Sequence, residues 1–276
     1  MTTDRRLWPA NDRVAHARLA GQVSLPLSEG HRMQVAVPVA DLHDKPRGTR
    51  ARQLLFGNRF TVLEDHRGWA FGFAEPSGYV GYLRAALLED AAEKTHCVAT
   101  LGAHIYPRPD MKTRPKMLLP FGAMLHCGGQ SGPYVDCGHG WVHRRQIEPI
   151  DTVRPDPVQV AEMFLGVPYL WGGDSPFGID CSGLIHIAML SSGIPCPRDS
   201  DQQADRLGDI LPAEAGLRRG DTIFWSGHVG LMQDADLLIH ANGYHMATVR
   251  EPLARATARI AATVHGNITI RRRPGS

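Results

Sequence analysis

From residue 31 onward, apolar and polar positions alternate in short runs. "MQVAVPVADLHDKP", "QLLFGNRFTVLED", "GWAFGFAE" and "GYVGYLRAALL" are rich in Val, Phe, Tyr and Leu and are broken by Gly and Pro. Runs of this length and punctuation are strands, and together they fit a small β-barrel. The same grammar returns in "HCVATLGAHIYPRPD", "KMLLPFGAMLHCGG" and "GPYVDCGHGWVHRRQIEPI". In both units a strand carries an aromatic and a Pro-containing turn, then a Leu-Phe-Gly or Pro-Phe-Gly corner follows, then a Gly-Trp pair before the closing strand. That self-similarity predicts two copies of one β module, at residues 31–90 and 91–150. Residues 1–30 are polar with one weak helical patch and read as an N-terminal arm.

After "DTVRPDPV", whose two prolines in a polar stretch mark a domain boundary, the period changes. "DPVQVAEMFLG" predicts a helix: an Asp at the N-cap, Pro in the first helical position, and Val160, Met163 and Phe164 on one face. Residues 181–190 repeat the helical spacing, with Cys181, Leu184, Ile185 and Ala188 at i, i+3, i+4 and i+7. Strand patterns follow in "DTIFWS", "HVGLMQD", "DLLIHAN" and "HMATVRE". One or two helices before an antiparallel sheet is an α+β arrangement, assigned to residues 151–276.

Composition narrows the function classes. The 276 residues carry a formal charge of +2, which gives no reason to expect a nucleic-acid partner. No apolar run approaches the roughly 18–20 residues that span a bilayer, so no membrane span is expected. The first residues are charged with no apolar stretch behind them, unlike a secretory signal. The expectation is therefore a cytoplasmic protein, or a periplasmic one if an export sequence has been trimmed. Five irregularly spaced cysteines do not suggest a disulfide framework. The final "RRRPG" reads as a solvated tail. Oligomeric state is not legible.

The candidate chemistry centres on Cys181. A helix start presents unsatisfied amides with partial positive charge, which favours a thiolate and lowers its pKa. A nucleophilic thiol also needs a base. His228 in "GHVG" and His240 in "LIHAN" lie twelve residues apart, enough for strand, turn and return. The two could then sit side by side on adjacent strands, one as base and the other fixing its orientation and tautomer.

Several separated blocks carry a family resemblance. "GVPYLWGGDSPFGIDCSGL", "CPRDSDQQ", "RRGDTIFWSGHVGLM" and "LIHANG", in this order over residues 156–272, resemble the papain-like NlpC family of cell-wall cysteine peptidases. "QLLFG", "GWAF" and "GYVGYL" resemble the bacterial SH3-like barrels that precede that domain in murein-peptide endopeptidases. The resemblance implies Cys181 as nucleophile, His228 as base and His240 as orienting third member. It implies Tyr169 near the oxyanion and substrate, Asp180 and Ser182 flanking the nucleophile, and Asp199 and Ser200 lining a specificity pocket. From the residues alone, Asp180 is also an N-cap and Ser182 a first-turn residue. Tyr79 matches a barrel tyrosine that reaches the active site in relatives, and Glu75, four residues earlier, is the adjacent acid. One departure is "LLFGN", where relatives often have Leu-Tyr-Gly-Glu. Asn58 cannot supply that charge, and Glu64, Asp65 or Glu75 are the substitutes.

The resemblance implies hydrolysis of the γ-D-glutamyl bond to meso-diaminopimelate or lysine in murein peptides, through an acyl-thioester, with no cofactor. The substrates expected are trimmed peptides with a free N-terminal L-Ala. A zinc reading of His126, Cys127, Cys137, His139 and His143 is set aside because the tight Cys-x2–4-Cys knuckle is missing. Two rivals are a non-catalytic murein-binding protein and an acyl or peptidyl transferase.

Overall fold

The computed structural model describes residues 4–275 and divides into two compact units, Met1–Ile150 and Asp151–Ser276. The first unit opens with an arm in which β1 (Ala15–His16) pairs in parallel with β2 (Leu27–Ser28). Val14 of the arm is buried with Leu63, Phe71 and Phe73, and Arg13 grips Glu64 through two hydrogen bonds of 2.7 and 2.8 Å.

Seven strands follow: β3 (His31–Val35), β4 (Val39–His43), β5 (Arg50–Leu55), β6 (Arg59–His66), β7 (Trp69–Ala74), β8 (Tyr79–Arg84) and β9 (Leu88–Asp90). They form one sheet in the order β5-β4-β8-β7-β6-β3-β9. Alternating residues fill its core, among them Val35, Leu42, Leu54, Phe60, Tyr79 and Leu83. The rest of the unit holds β10 (His96–Val98), β11 (Gly102–Ile105), β12 (Met117–Pro120), β13 (Met124–Leu125), β14 (Gln130–Ser131), β15 (Tyr134–Asp136), β16 (Trp141–His143) and β17 (Ile147–Pro149). These pair as β13-β10-β17, β11-β12 and β14-β15-β16 around a core of Val98, Ile105, Leu119, Leu125 and Val142.

The pairing scheme repeats. β3 pairs with β6 and β9 as β10 pairs with β13 and β17, and β4 pairs with β5 as β11 pairs with β12. β7 pairs with β6 and β8, as β15 does with β14 and β16. The single β4–β8 pairing has its counterpart in an isolated bridge between Tyr106 and Trp141. The residues once weighed as zinc ligands have other partners here. Cys137 donates to the Gly140 carbonyl, His126 bonds the Glu93 carbonyl, and His139 faces Glu89 at 3.2 Å.

The second unit begins with α1 (Pro157–Met163), where the Asp156 side chain accepts from the Val158 amide at 2.9 Å and Pro157 takes the first helical position. A two-strand ribbon, β18 (Asp174–Ser175) and β19 (Gly178–Ile179), leads into α2 (Cys181–Ser191), and α3 (Ser200–Arg206) follows. The sheet comprises β20 (Asp209–Ile210), β21 (Thr222–Trp225), β22 (His228–Met232), β23 (Leu237–Asn242), β24 (Ala247–Pro252) and β25 (Ile270–Arg273), with α4 (Leu253–Ala261) between the last two in sequence. Its order is β20-β25-β21-β22-β23-β24.

The supposed C-terminal tail is therefore a strand inside the sheet. Arg273 makes two 2.8 Å hydrogen bonds to the buried carboxylate of Asp221, and buried Arg272 donates to the Gly208 and Asp205 carbonyls. Charge-assisted hydrogen bonds to fixed acceptors offset the desolvation of Arg272 and hold Arg273 in the strand. No helix among the described residues is long and apolar enough to cross a membrane.

Candidate active site

Cys181 is the first residue of α2, and the preceding Asp180 caps the helix by accepting from the Gly183 amide at 2.7 Å. The other Asp180 oxygen accepts from the Gly172 amide at 2.7 Å. Gly183 leaves no room for a side chain, because a Cβ there would stand 2.4 Å from the Gly173 carbonyl oxygen. Beneath this corner lies Arg198. Its Nε is 2.7 Å from Asp174 and its Nη2 3.0 Å from Asp180, while Nη1 donates to the Ser182 hydroxyl at 2.7 Å. Nη2 also donates to the Gly173 carbonyl. Burial alone would weaken its charge, but Asp174 and Asp180 hold the Arg198 pKa well above the ordinary guanidinium value.

His228 is the first residue of β22, directly after the two-residue turn Ser226-Gly227, and it pairs with Trp225. Gly227 takes φ +70°, a conformation that glycine adopts without the penalty a Cβ brings. His228 Nε2 lies 2.9 Å from His240 Nδ1, joining β22 to β23. His240 Nε2 in turn lies 2.8 Å from Glu251 Oε1 on β24. The register explains the contact: His240 pairs with Val249 and Glu251 with Leu238, so His240 and Glu251 are diagonal neighbours on one face. Arg259 of α4 closes the series with an ion pair to the same Glu251 oxygen.

The cysteine is tied to the histidines through backbone. The backbone of Val229, next to His228, favours the charged form of the Cys181 sulfur. Tyr169 completes the surround: its amide donates to the Met246 carbonyl at 3.0 Å and it bridges Ile179. Burial first, and then the charges of Cys181 and Asp180, push its phenol above the ordinary tyrosine range.

The electrostatics differ from the expectation of a thiolate at rest. Burial, reinforced by Asp180, pushes the Cys181 thiol up to about 12, and the amides of Val229 and Ser182 recover only part of this. Burial, then repulsion from His240, His265 and Arg259, takes His228 down to about 3. Both shifts favour the neutral forms, because desolvation opposes the helix-start effect. Burial also lowers His240 despite Glu251. Burial works to raise Glu251, yet hydrogen bonds from His240 and Arg259 bring it down to about 2.

Cys181, His228, His240, Tyr169, Asp180 and Ser182 thus share one neighbourhood. The side chains of Asp180 and Ser182 are spent on the helix cap and on Arg198, with Ser182 donating to Asp180 at 3.2 Å. Asp199 and Ser200 open α3, whose Gln203 donates to the Ser182 carbonyl at 3.0 Å. Tyr79 and Glu75 belong to the first unit. Tyr79 lies in the core of the first sheet with Arg52 over its ring, and Glu75 accepts from Thr61 and pairs with Arg32 at 3.3 Å. Asn58 accepts from the Leu55 amide in a turn, and Glu64 is occupied by Arg13. Sequence reading missed Arg198, Asp174 and Glu251. For Glu251 the sequence offered no signal, because its contact with His240 depends on the β23–β24 register.

Residues 166–261 match the NlpC/P60 family, and residues 42–88 match the bacterial dipeptidyl-peptidase Sh3 domain. The chain is 26% identical over 215 residues to a gamma-D-glutamyl-L-lysine dipeptidyl-peptidase of Bacillus subtilis (strain 168), covering 68% of this chain and 71% of the relative. It is 30% identical over 205 residues to the protein of that name from Bacillus cereus (strain ATCC 10987 / NRS 248), covering 64% and 60%. Among solved structures, an NlpC/P60 family protein from Bacillus cereus ATCC 10987 superposes with a TM-score of 0.72 at 21% identity, covering 88% of this chain and 99% of that one. An NlpC/P60 endopeptidase from Photobacterium damselae subsp. piscicida gives 0.60 at 14% identity, covering 87% and 70%. The chain thus carries a bacterial SH3 domain in its first unit and, in its second, a domain of the NlpC/P60 family of cysteine peptidases.

Proposed function

We propose that the chain hydrolyses the γ-D-glutamyl bond to a diamino acid, meso-diaminopimelate or lysine, in peptides derived from peptidoglycan, with Cys181 as nucleophile. The observation that carries this reading is a cysteine at the start of a helix packed against the strand that begins at His228, whose imidazole is held by His240. The substrate class rests on the relatives named gamma-D-glutamyl-L-lysine dipeptidyl-peptidase. A dipeptidyl-peptidase counts from a free amino end, which supports trimmed peptides beginning with L-Ala.

The chemistry follows from the neutral resting pair. His228 Nε2 is engaged by His240, so Nδ1 is the nitrogen for the thiol proton. Proton transfer accompanies formation of the S–C bond, and no preformed thiolate is needed. The Cys181 amide, in the first helical position, has no intrahelical acceptor and is a donor for the developing oxyanion. The proton then passes from His228 to the leaving amine, and water, deprotonated by the same histidine, cleaves the thioester. In the first unit, the repeated strand pairing supports a second SH3-like module in residues 91–150 beside the one at 31–90.

The test is incubation with L-Ala-γ-D-Glu-meso-diaminopimelate and its lysine counterpart in H2 18O, followed by mass analysis. Hydrolysis releases the free diamino acid and puts one heavy oxygen into the γ-carboxyl of the dipeptide. Absence of product, or unlabelled dipeptide joined to an added amine, defeats the hydrolase reading. An N-acetylated peptide is expected to react far more slowly than the free amine, because a site that pairs a charge rejects a substrate lacking it. Equal rates would remove the free-terminus requirement.

A further inference from the structure

The His228–His240 pair has an ambiguity of its own. Two neutral imidazoles joined by one hydrogen bond can be arranged in two ways. Either His228 Nε2 donates to His240 Nδ1, leaving a basic lone pair on His228 Nδ1, or His240 Nδ1 donates and His228 carries its proton on Nδ1. In the second arrangement His228 Nδ1 has no lone pair for the thiol proton. Distances alone do not choose between them, since the 2.9 Å contact is the same for both.

Glu251 makes the choice. An ionised carboxylate can only accept, so the 2.8 Å contact requires a proton on His240 Nε2. A neutral His240 then has its lone pair on Nδ1, and His228 must donate from Nε2. His240 is fully buried and Glu251 nearly so, so water does not compete for either position. Arg259, ion-paired to the same carboxylate oxygen, keeps the acceptor charged.

We propose that Glu251 is a positioning residue that sets the direction of the whole hydrogen-bond series and so keeps His228 in its basic tautomer, with Arg259 securing the charge of Glu251. When the Cys181 proton arrives at His228 Nδ1, the imidazolium formed donates from Nε2 towards His240, and the carboxylate at the far end of the series stabilises that positive charge. The proposal rests on reading Cys181, His228 and His240 as the catalytic series.

The experiment compares wild type, E251Q and R259M as full-length chains, using two readouts. Long-range 1H–15N correlation spectra of the imidazoles report the tautomers, and steady-state kinetics report kcat and KM. Glutamine keeps the shape of Glu251 but can donate or accept, so it imposes no direction. E251Q is expected to show mixed tautomers at His228 and His240, with kcat lowered about 10- to 100-fold, the loss seen when the hydrogen-bond partner behind a metal-bound histidine is replaced, and KM within about twofold. A folded E251Q with wild-type tautomers, or with wild-type kcat, overturns the proposal.

If E251Q does not fold, R259M decides. Glu251 is faced by His240 from β23 and Arg259 from α4. His240 also feels His245 at the β23–β24 turn, and His228 feels His265 beyond α4. Arg259 also repels protons from His240 and His228, so in R259M all three groups should protonate at higher pH and the acid limb of kcat should move upward, with mixed tautomers appearing in the spectra where Glu251 gains its proton. An unmoved limb overturns the proposal. The spectra need no turnover, so a wrong substrate assignment would leave the tautomer change in place. Failure of this inference alone would leave E251Q fully active.

Discussion

Replacing Arg198 by methionine tests whether the corner under Cys181 depends on a buried charge network. The guanidinium is 1% exposed and meets Asp174 at 2.7 Å, Asp180 at 3.0 Å, the Ser182 hydroxyl at 2.7 Å and the Gly173 carbonyl at 3.1 Å. Methionine fills a similar volume but leaves two buried carboxylates facing one another without a cation. Removing one partner of a buried ion pair costs about 3–5 kcal/mol. For a unit the size of Asp151–Ser276, each kcal/mol lowers the melting temperature by about 4 °C, so R198M should lose about 12–20 °C. Scanning calorimetry on the whole chain reads this directly. R198K keeps the charge but cannot span four acceptors as the planar fork does, so it should fall between R198M and wild type. A loss below about 3 °C for R198M, less than 1 kcal/mol on the same scale, would show that the network contributes little and that the corner is held by packing alone.

C181A should abolish turnover while the fold persists, because alanine suits a buried helix start; circular dichroism and product analysis check both halves. H228A should lower kcat/KM about 10²- to 10⁴-fold. H240N should retain more activity than H240A, because an amide oxygen can still accept from His228 Nε2; comparable rates for the two would remove the orienting role. The alkylation rate of Cys181 by iodoacetamide should climb about tenfold per pH unit from pH 7 to 9, since burial holds the thiol up to about 12. A plateau between pH 5 and 7 would instead reveal a preformed thiolate–imidazolium pair, and faster labelling of Cys97 or Cys127 would count against Cys181 as the nucleophile.

What the sequence made legible were features fixed by neighbours in the chain. Asp156-Pro157 announces α1 because capping is a three-residue interaction, and Asp180-Cys181 announces the start of α2 for the same reason. His228 and His240 were also within reach, since a hairpin turns a spacing of twelve residues into a 2.9 Å contact. Glu251 was not, because its contact with His240 depends on the β23–β24 register, which the turn at residues 243–246 sets. Helix α4 was hidden by its mostly polar and small residues; only Ala256 and Ile260 are buried. The arginines of β25 resembled a tail because their acceptors, Asp221, Asp205 and Gly208, lie 52 to 67 residues away in sequence. Arg198 reads as a loop residue until Asp174 and Asp180 are brought to either side of it.

The central claim is that Cys181 forms the covalent bond to the γ-D-glutamyl group. Rapid acid quenching during turnover of an activated L-Ala-γ-D-glutamyl ester, followed by peptide mapping, reads it directly. The account predicts an L-Ala-γ-D-glutamyl adduct on the tryptic peptide containing Cys181, present in wild type and absent in C181A. Turnover that continues in C181A, or an adduct on Cys97, Cys127, Cys137 or Cys196, would contradict it.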